Sequence, residues 1–193
     1  MTLHSGILAV SGSESTASLA CGASIKLSPE YSLILAGAGF LSAAGRCMAF
    51  DSRANGIVRG EGVGAVVIEL DTSDSLLSLA GSAVRQDGRS ASLTAPNGTA
   101  QQALVLQVFN RSAVDVNSVT SVETHGTGTA LGDPIETSSL AACELPQHVQ
   151  LSTVKASLGH CEPQSGLAGL VKAALEVRAT RVCGNAQLRT MNP

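Results

Sequence analysis

Three features of the sequence predict a layered α/β domain. Apolar runs of strand length alternate with longer segments of helical period. The composition is dominated by small and aliphatic residues, Ala, Gly, Val and Leu, which suits closely packed α/β layers. A length of 193 residues, with 44% hydrophobic and 2% aromatic content, is enough for one well-cored domain and unlike a disordered chain.

Ser13–Leu27 is predicted as a helix and the apolar Ser32–Ala36 as a short strand. Val63–Leu70, a nearly unbroken aliphatic run, and Leu79–Arg85 are the next two strands. Gln101–Ser112 then reads as a helix, Val119–Thr124 as a strand, Pro134–Glu144 as a helix and Gln150–Val154 as a strand. Asp133-Pro134 has the form of an N-cap followed by proline at the first helical position. The final helix, Ser165–Arg178, carries the clearest pattern. Leu167, Leu170, Val171, Ala174 and Leu175 fall at i, i+3, i+4, i+7 and i+8, forming one apolar stripe, and Gly166, Ala168, Gly169 and Ala173 would let neighbouring backbones approach.

The net charge is −3 and the 12 basic residues are not clustered, so no electrostatic footprint for nucleic acid or an anionic membrane is present. Five cysteines, odd in number and without a Cys-x-x-Cys pair, suggest neither a disulfide framework nor a zinc knuckle. A cytoplasmic or other reducing compartment is expected. Met1 to Val10 lacks the basic region of a signal peptide, and no uncharged apolar run reaches membrane-spanning length.

The chemistry concentrates in two segments. Residues 125 to 136 read His-Gly-Thr-Gly-Thr-Ala-Leu-Gly-Asp-Pro-Ile-Glu, and Lys155-Ala156-Ser157-Leu158-Gly159-His160 closes the next apolar stretch. Each histidine ends a strand-like run and opens a glycine-containing turn, at the sheet edge where open α/β folds hold ligands. A phosphate cradle is a poor match because no Lys-Ser/Thr follows the glycines. His125, His160, Cys161 and Glu162 are all ligand types, but they lack helical i, i+3 or i, i+4 pairing, and no metal is expected.

Together these segments resemble the signature of β-ketoacyl synthases, most closely the polyketide type. Phe50-Asp51-Ser52-Arg53-Ala54-Asn55-Gly56 leading to Arg59-Gly60-Glu61-Gly62, Gln86-Asp87-Gly88-Arg89 with Leu93-Thr94-Ala95-Pro96-Asn97-Gly98, and Arg189-Thr190-Met191-Asn192-Pro193 match further family markers in order. The resemblance implies a thiolase-like fold, layered α-β-α-β-α, with residues 1–75 forming the end of its N-terminal half and 76–193 most of its C-terminal half. It implies decarboxylative Claisen condensation. His125 and His160 would hydrogen-bond the malonyl thioester where enolate charge develops, with Lys155 supporting the second histidine and Glu136 a carboxylate neighbour for that lysine. Thr127 and Thr129 would contact pantetheine, although a turn role for their hydroxyls stands equally. The implied partner is an acyl carrier protein whose phosphopantetheine arm brings the substrate, with no cofactor bound by the chain itself.

Counting eleven residues back from Ala20-Cys21, which resembles a pair in the helix after the family's nucleophile elbow, lands on Val10, a side chain with no nucleophilic atom. Condensation by this chain alone is therefore not expected. Three readings follow: a condensing domain that is inactive or incomplete; a malonyl-carrier-protein decarboxylase using His125 and His160; and a non-catalytic partner. The last would pair with an intact ketosynthase through Gly6 to Ala9, which resembles the family's dimer-interface strand; the resemblance implies a homodimer, or such a pairing, where the missing half is supplied.

Overall fold

A computed structural model describes residues 2–70, 74–90, 92 and 95–192. Leu93, Thr94 and Pro193 of the marker segments, and Met1, lie outside the described residues. In chain order the elements are α1 (Thr2–Ser11), β1 (Ala17–Ser24), α2 (Glu30–Gly37), β2 (Gly62–Glu69), α3 (Gly98–Ser112), β3 (Ser121–Glu123), α4 (Gly132–Ala141), β4 (Gln150–Ser152), α5 (Lys155–Leu158) and α6 (Ser165–Ala179). No helix among the described residues is long and apolar enough to cross a membrane.

The first part of the chain is built differently from its sequence expectation. Ser13–Leu27 is not a helix: Ala17–Ser24 pairs antiparallel with β2 over eight residues, from Ala17↔Glu69 to Ser24↔Gly62. Its small residues suit either state, and the ladder with β2 decides. Helix α1 precedes it, and its buried Gly6 and Val10, at i and i+4, face the β1–β2 pair. A Cβ at Gly6 would sit 2.9 Å from Ile68 Cδ1, so glycine is what lets helix and strand close up.

Two further expectations fall with this one. Gly6 to Ala9 is helical rather than a strand, which removes the basis for a strand-mediated dimer. Val10, 2% exposed, lies in the last turn of α1 and not at a strand-to-helix elbow, while Ala20-Cys21 lies in β1. The eleven-residue spacing requires a helix at Ala20, where the chain is a strand, so Val10 does not stand at a nucleophile elbow.

Ser32–Ala36 lies within helix α2, because a short apolar run has no period that separates strand from buried helix. Leu79–Arg85 joins no ladder among the described residues. Gly81 instead packs on Ser112 of α3, and Ser82 Oγ lies 2.9 Å from His4 Nδ1.

In the second part β3 and β4 form a parallel pair, Ser121↔Gln150 through Glu123↔Ser152, shorter than expected. Thr124 prolongs the contact, its N–H and its hydroxyl both donating to the Ser152 carbonyl. Helix α3 is capped by Asn97, whose side chain accepts from the Ala100 N–H. Helix α4 starts at Gly132 rather than after Asp133, which frees the Asp133 carboxylate for other partners. Helix α6 buries Leu167 and sets Gly169 against Glu123, while Val171 and Leu175 of its apolar stripe remain exposed.

Candidate active site

His125 follows β3, and its position is set by backbone bonds to two helix carboxylates. Glu136, on α4, accepts from the His125 N–H at 2.6 Å with one oxygen and from the Gly126 N–H at 2.8 Å with the other. Asp133, 2% exposed, accepts from Gly128 N–H at 3.1 Å and Phe50 N–H at 2.7 Å. This closes the turn after His125 onto the segment around Phe50. Gly128 has φ +75°, and a Cβ there would meet Met48 N at 2.6 Å, so the turn needs glycine. Burial raises the pKa of both carboxylates, against the lowering effect of the N–H groups they accept.

The hydroxyls of Thr127 and Thr129 lie 3.1 Å apart, and Thr129 Oγ1 accepts from the Gly132 N–H. Both therefore take part in the turn.

His160 arrives from the other strand of the pair. After β4 the short α5 carries Lys155, and Gly159, at φ +78°, turns the chain so that His160 bridges Arg59 in parallel. His160 N–H donates to the Val58 carbonyl at 2.7 Å, and Gly60 N–H donates to the His160 carbonyl at 2.9 Å. A Cβ on Gly60 would meet the Leu158 carbonyl at 2.6 Å, so this approach too requires glycine.

The two imidazoles meet edge to face, with ring centroids 5.6 Å apart and planes at 85°. His160 Nδ1 accepts from the Glu162 backbone N–H at 2.9 Å, with Ser165 Oγ 3.0 Å away. An Nδ1 that accepts carries no proton, so Nε2 bears the hydrogen and is the ring's donor. Desolvation first, then the Lys155 charge, lowers the pKa of both rings, and that of His125 falls to about 4. His125 keeps an open side to solvent, but it is neutral at physiological pH.

Lys155 is 4% exposed, and its pKa is lowered by burial against the pull of Glu136 and Glu123. The expected ion pair with Glu136 is not formed: among the described residues no carboxylate lies within 4 Å of the Lys155 ammonium. Glu136 is committed to the two backbone N–H groups instead. An open cleft of about 640 Å³ has Phe40, Asn55, His125, Thr127, Leu131 and Glu136 in its wall. His160 touches the His125 ring but is not part of that wall.

Several supporting residues were missed as such in the sequence. Asp51, fully buried, accepts from Arg53 and from the Arg189 and Thr190 N–H groups, so the 50–56 and 189–192 segments are two sides of one contact. Arg53 first, then these N–H groups, holds its carboxyl well below the usual range. Lys172 donates to Glu123, Glu176 and Ser152, tying α6 to β3 and β4. Only the order of the marker segments hinted at any of this.

Cys47, Cys143 and Cys161 are buried, and burial pushes their thiols up, away from thiolate formation. Cys21 and Cys183 are exposed. No three His, Cys, Asp or Glu side chains converge as a metal site among the described residues.

Residues 1–73 match the pattern described as "Beta-ketoacyl synthase, N-terminal domain" and residues 76–189 that described as "Beta-ketoacyl synthase, C-terminal domain". The chain is 43% identical to a phenolphthiocerol/phthiocerol polyketide synthase polypeptide of Mycobacterium tuberculosis over 188 residues, 93% of this chain and 12% of that protein. It is 40% identical to the highly reducing polyketide synthase azaB of Aspergillus niger over 98% of this chain and 8% of that protein. Among solved structures, the ketosynthase from module 6 of the bacillaene synthase of Bacillus subtilis 168 superposes with a TM-score of 0.91 at 33% identity. An oxazolomycin ketosynthase domain of Streptomyces albus superposes with a TM-score of 0.93 at 30% identity. These two matches cover 98% and 99% of this chain and 36% of each solved chain. The fold is thiolase-like, and the chain spans about a third of those ketosynthases.

Proposed function

This chain belongs to the β-ketoacyl synthase family, and from that membership we propose that it carries the decarboxylation half-site of a polyketide-type ketosynthase. Its substrate is a malonyl thioester on the phosphopantetheine arm of an acyl carrier protein. The observation that carries this reading is the His125–His160 pair, two neutral imidazoles in contact, one of them with Nδ1 accepting a backbone N–H and its proton therefore on Nε2.

In the reaction the bond between the malonyl α-carbon and its carboxylate breaks and carbon dioxide leaves. The electron pair passes to the α-carbon and the thioester oxygen, giving an enolate. Imidazole N–H donors aimed at that oxygen stabilise the charge as it forms, and a donor of this kind is worth about 100- to 1,000-fold in rate. The neutral state matters because an imidazolium would bring an uncompensated charge into a site that already holds Lys155. For condensation the enolate carbon must then attack an acyl thioester. The buried Cys47, Cys143 and Cys161 are unsuited to carry the acyl group, and neither exposed cysteine opens a helix, Cys21 lying in the middle of β1 and Cys183 beyond the end of α6. Decarboxylation is thus the step assigned to these residues.

When no acyl thioester is attacked, the enolate carbon takes a proton from water and the acetyl thioester results, so the test is incubation with malonyl-loaded carrier protein, following conversion to the acetyl form by intact mass. His160→Ala is expected to lower the rate at least about 100-fold. A folded protein that yields no acetyl product overturns the reading.

A further inference from the structure

A neutral histidine can carry its proton on either nitrogen, and at His160 both options have a partner within reach. Ser165 Oγ, 3.0 Å from Nδ1, can accept from an Nδ1–H. The Glu162 backbone N–H, 2.9 Å from the same nitrogen, can only donate to a bare Nδ1. Which tautomer forms therefore depends on holding that N–H in place.

Glu162 is held there in an unfavourable conformation. Its φ of +46° lies in the left-handed region, which costs a non-glycine residue free energy and persists only where the surroundings impose it. The restraint is visible on its side chain. Arg59 Nε donates to Glu162 Oε1 at 2.6 Å and Arg59 Nη2 to Oε2 at 3.3 Å, a two-pronged charge-assisted contact. The guanidinium is fixed in turn: Nη1 donates to Ser32 Oγ at 2.6 Å, the Tyr31 ring lies 4.8 Å below it, and the side chain is only 9% exposed. Lys26 Nζ donates to the Arg59 carbonyl at 2.7 Å. The Arg59 backbone bridges His160 directly, so ring and clamp share one anchor.

We infer that Arg59 and Glu162 are positioning residues that fix the Nε2–H tautomer of His160, with the Arg59 guanidinium holding the Glu162 backbone N–H on Nδ1. The inference rests on the ketosynthase reading only for the use made of Nε2–H. The tautomer itself is observable without turnover, so the two can fail separately.

The experiment is a two-bond ¹H–¹⁵N correlation on the chain with ¹⁵N-labelled histidine at neutral pH, the His160 signals being assigned by their loss in His160→Gln. The native protein is expected to show His160 in the Nε2–H form alone. Arg59→Gln and Glu162→Gly are each expected to bring up an Nδ1–H population, which Ser165→Ala then suppresses. Glu162→Gly relieves the left-handed strain while removing the clamp, so it decides the matter if Arg59→Gln fails to fold. An Nδ1–H form in the native protein, or an Nε2–H form undiminished in folded Glu162→Gly, overturns the inference.

Discussion

His125 has a pKa pushed down to about 4 from the ordinary 6.5, by desolvation first and then by Lys155 and His160. In the unfolded chain the same ring takes up its proton near 6.5. Native stability is therefore full above that pH and falls as the pH drops, the loss from this group being complete near 4. His160 adds a loss of the same sign. Urea midpoints at pH 7.5 and 5.0 should separate more in the native protein than in His125→Asn, and equal separations would mean that another group governs the acid limb. At Val10 the expectation is negative. Because the side chain is buried in the last turn of α1, Val10→Cys should give no covalent adduct with an acyl-thioester probe by intact mass.

Two junctions between elements bear on the site. Asp133→Ala would strand the buried N–H groups of Phe50 and Gly128, and an unpaired buried group costs about 1–3 kcal/mol. We expect a loss of about 2 kcal/mol or more by urea denaturation, and a smaller one for Asp133→Asn, which keeps an acceptor. At the other junction, Lys172→Met leaves the Glu123 and Glu176 carboxylates without their shared cation, for an expected cost of about 3 kcal/mol. Adding Glu123→Gln to Lys172→Met should recover part of that cost, since the two residues interact directly. Full additivity in this cycle would show the ion pair to be incidental.

Over the molecule as a whole, the outer face of the antiparallel β1–β2 pair is apolar and open. Leu19, opposite Val67, and Ala23, opposite Val63, all point away from α1, and Leu19 and Val67 are each 64% exposed. A two-stranded sheet with such a face is marginal by itself and prone to association. The chain should bind a hydrophobic dye and sediment with concentration-dependent mass. Leu19→Thr with Val67→Thr should reduce both effects, and monomeric, dye-free behaviour of the unaltered chain would contradict this.

Long segments with a helical period or an extended aliphatic run were legible from the residues: α3, α6 and β2 lie close to where the pattern puts them. So was the placement of the two histidines at turns, because each precedes or follows a glycine that the turn requires, Gly126 and Gly159. β1 and α2 were not, because residues such as Ala, Gly and Ser in one, and a short apolar run in the other, satisfy both periods until a neighbouring strand or helix chooses. Tertiary structure alone decided the partners of the charges. Glu136 was free to meet Lys155 by sequence, yet its oxygens are taken by backbone N–H groups ten and eleven positions away. Arg59 finds Glu162 across 103 positions of chain. The sequence by itself determined which chemical groups are available and where the chain must turn, since those depend on residue type. Which nitrogen of His160 carries the proton, and which carboxylate serves which donor, are consequences of geometry that arises only when distant segments pack.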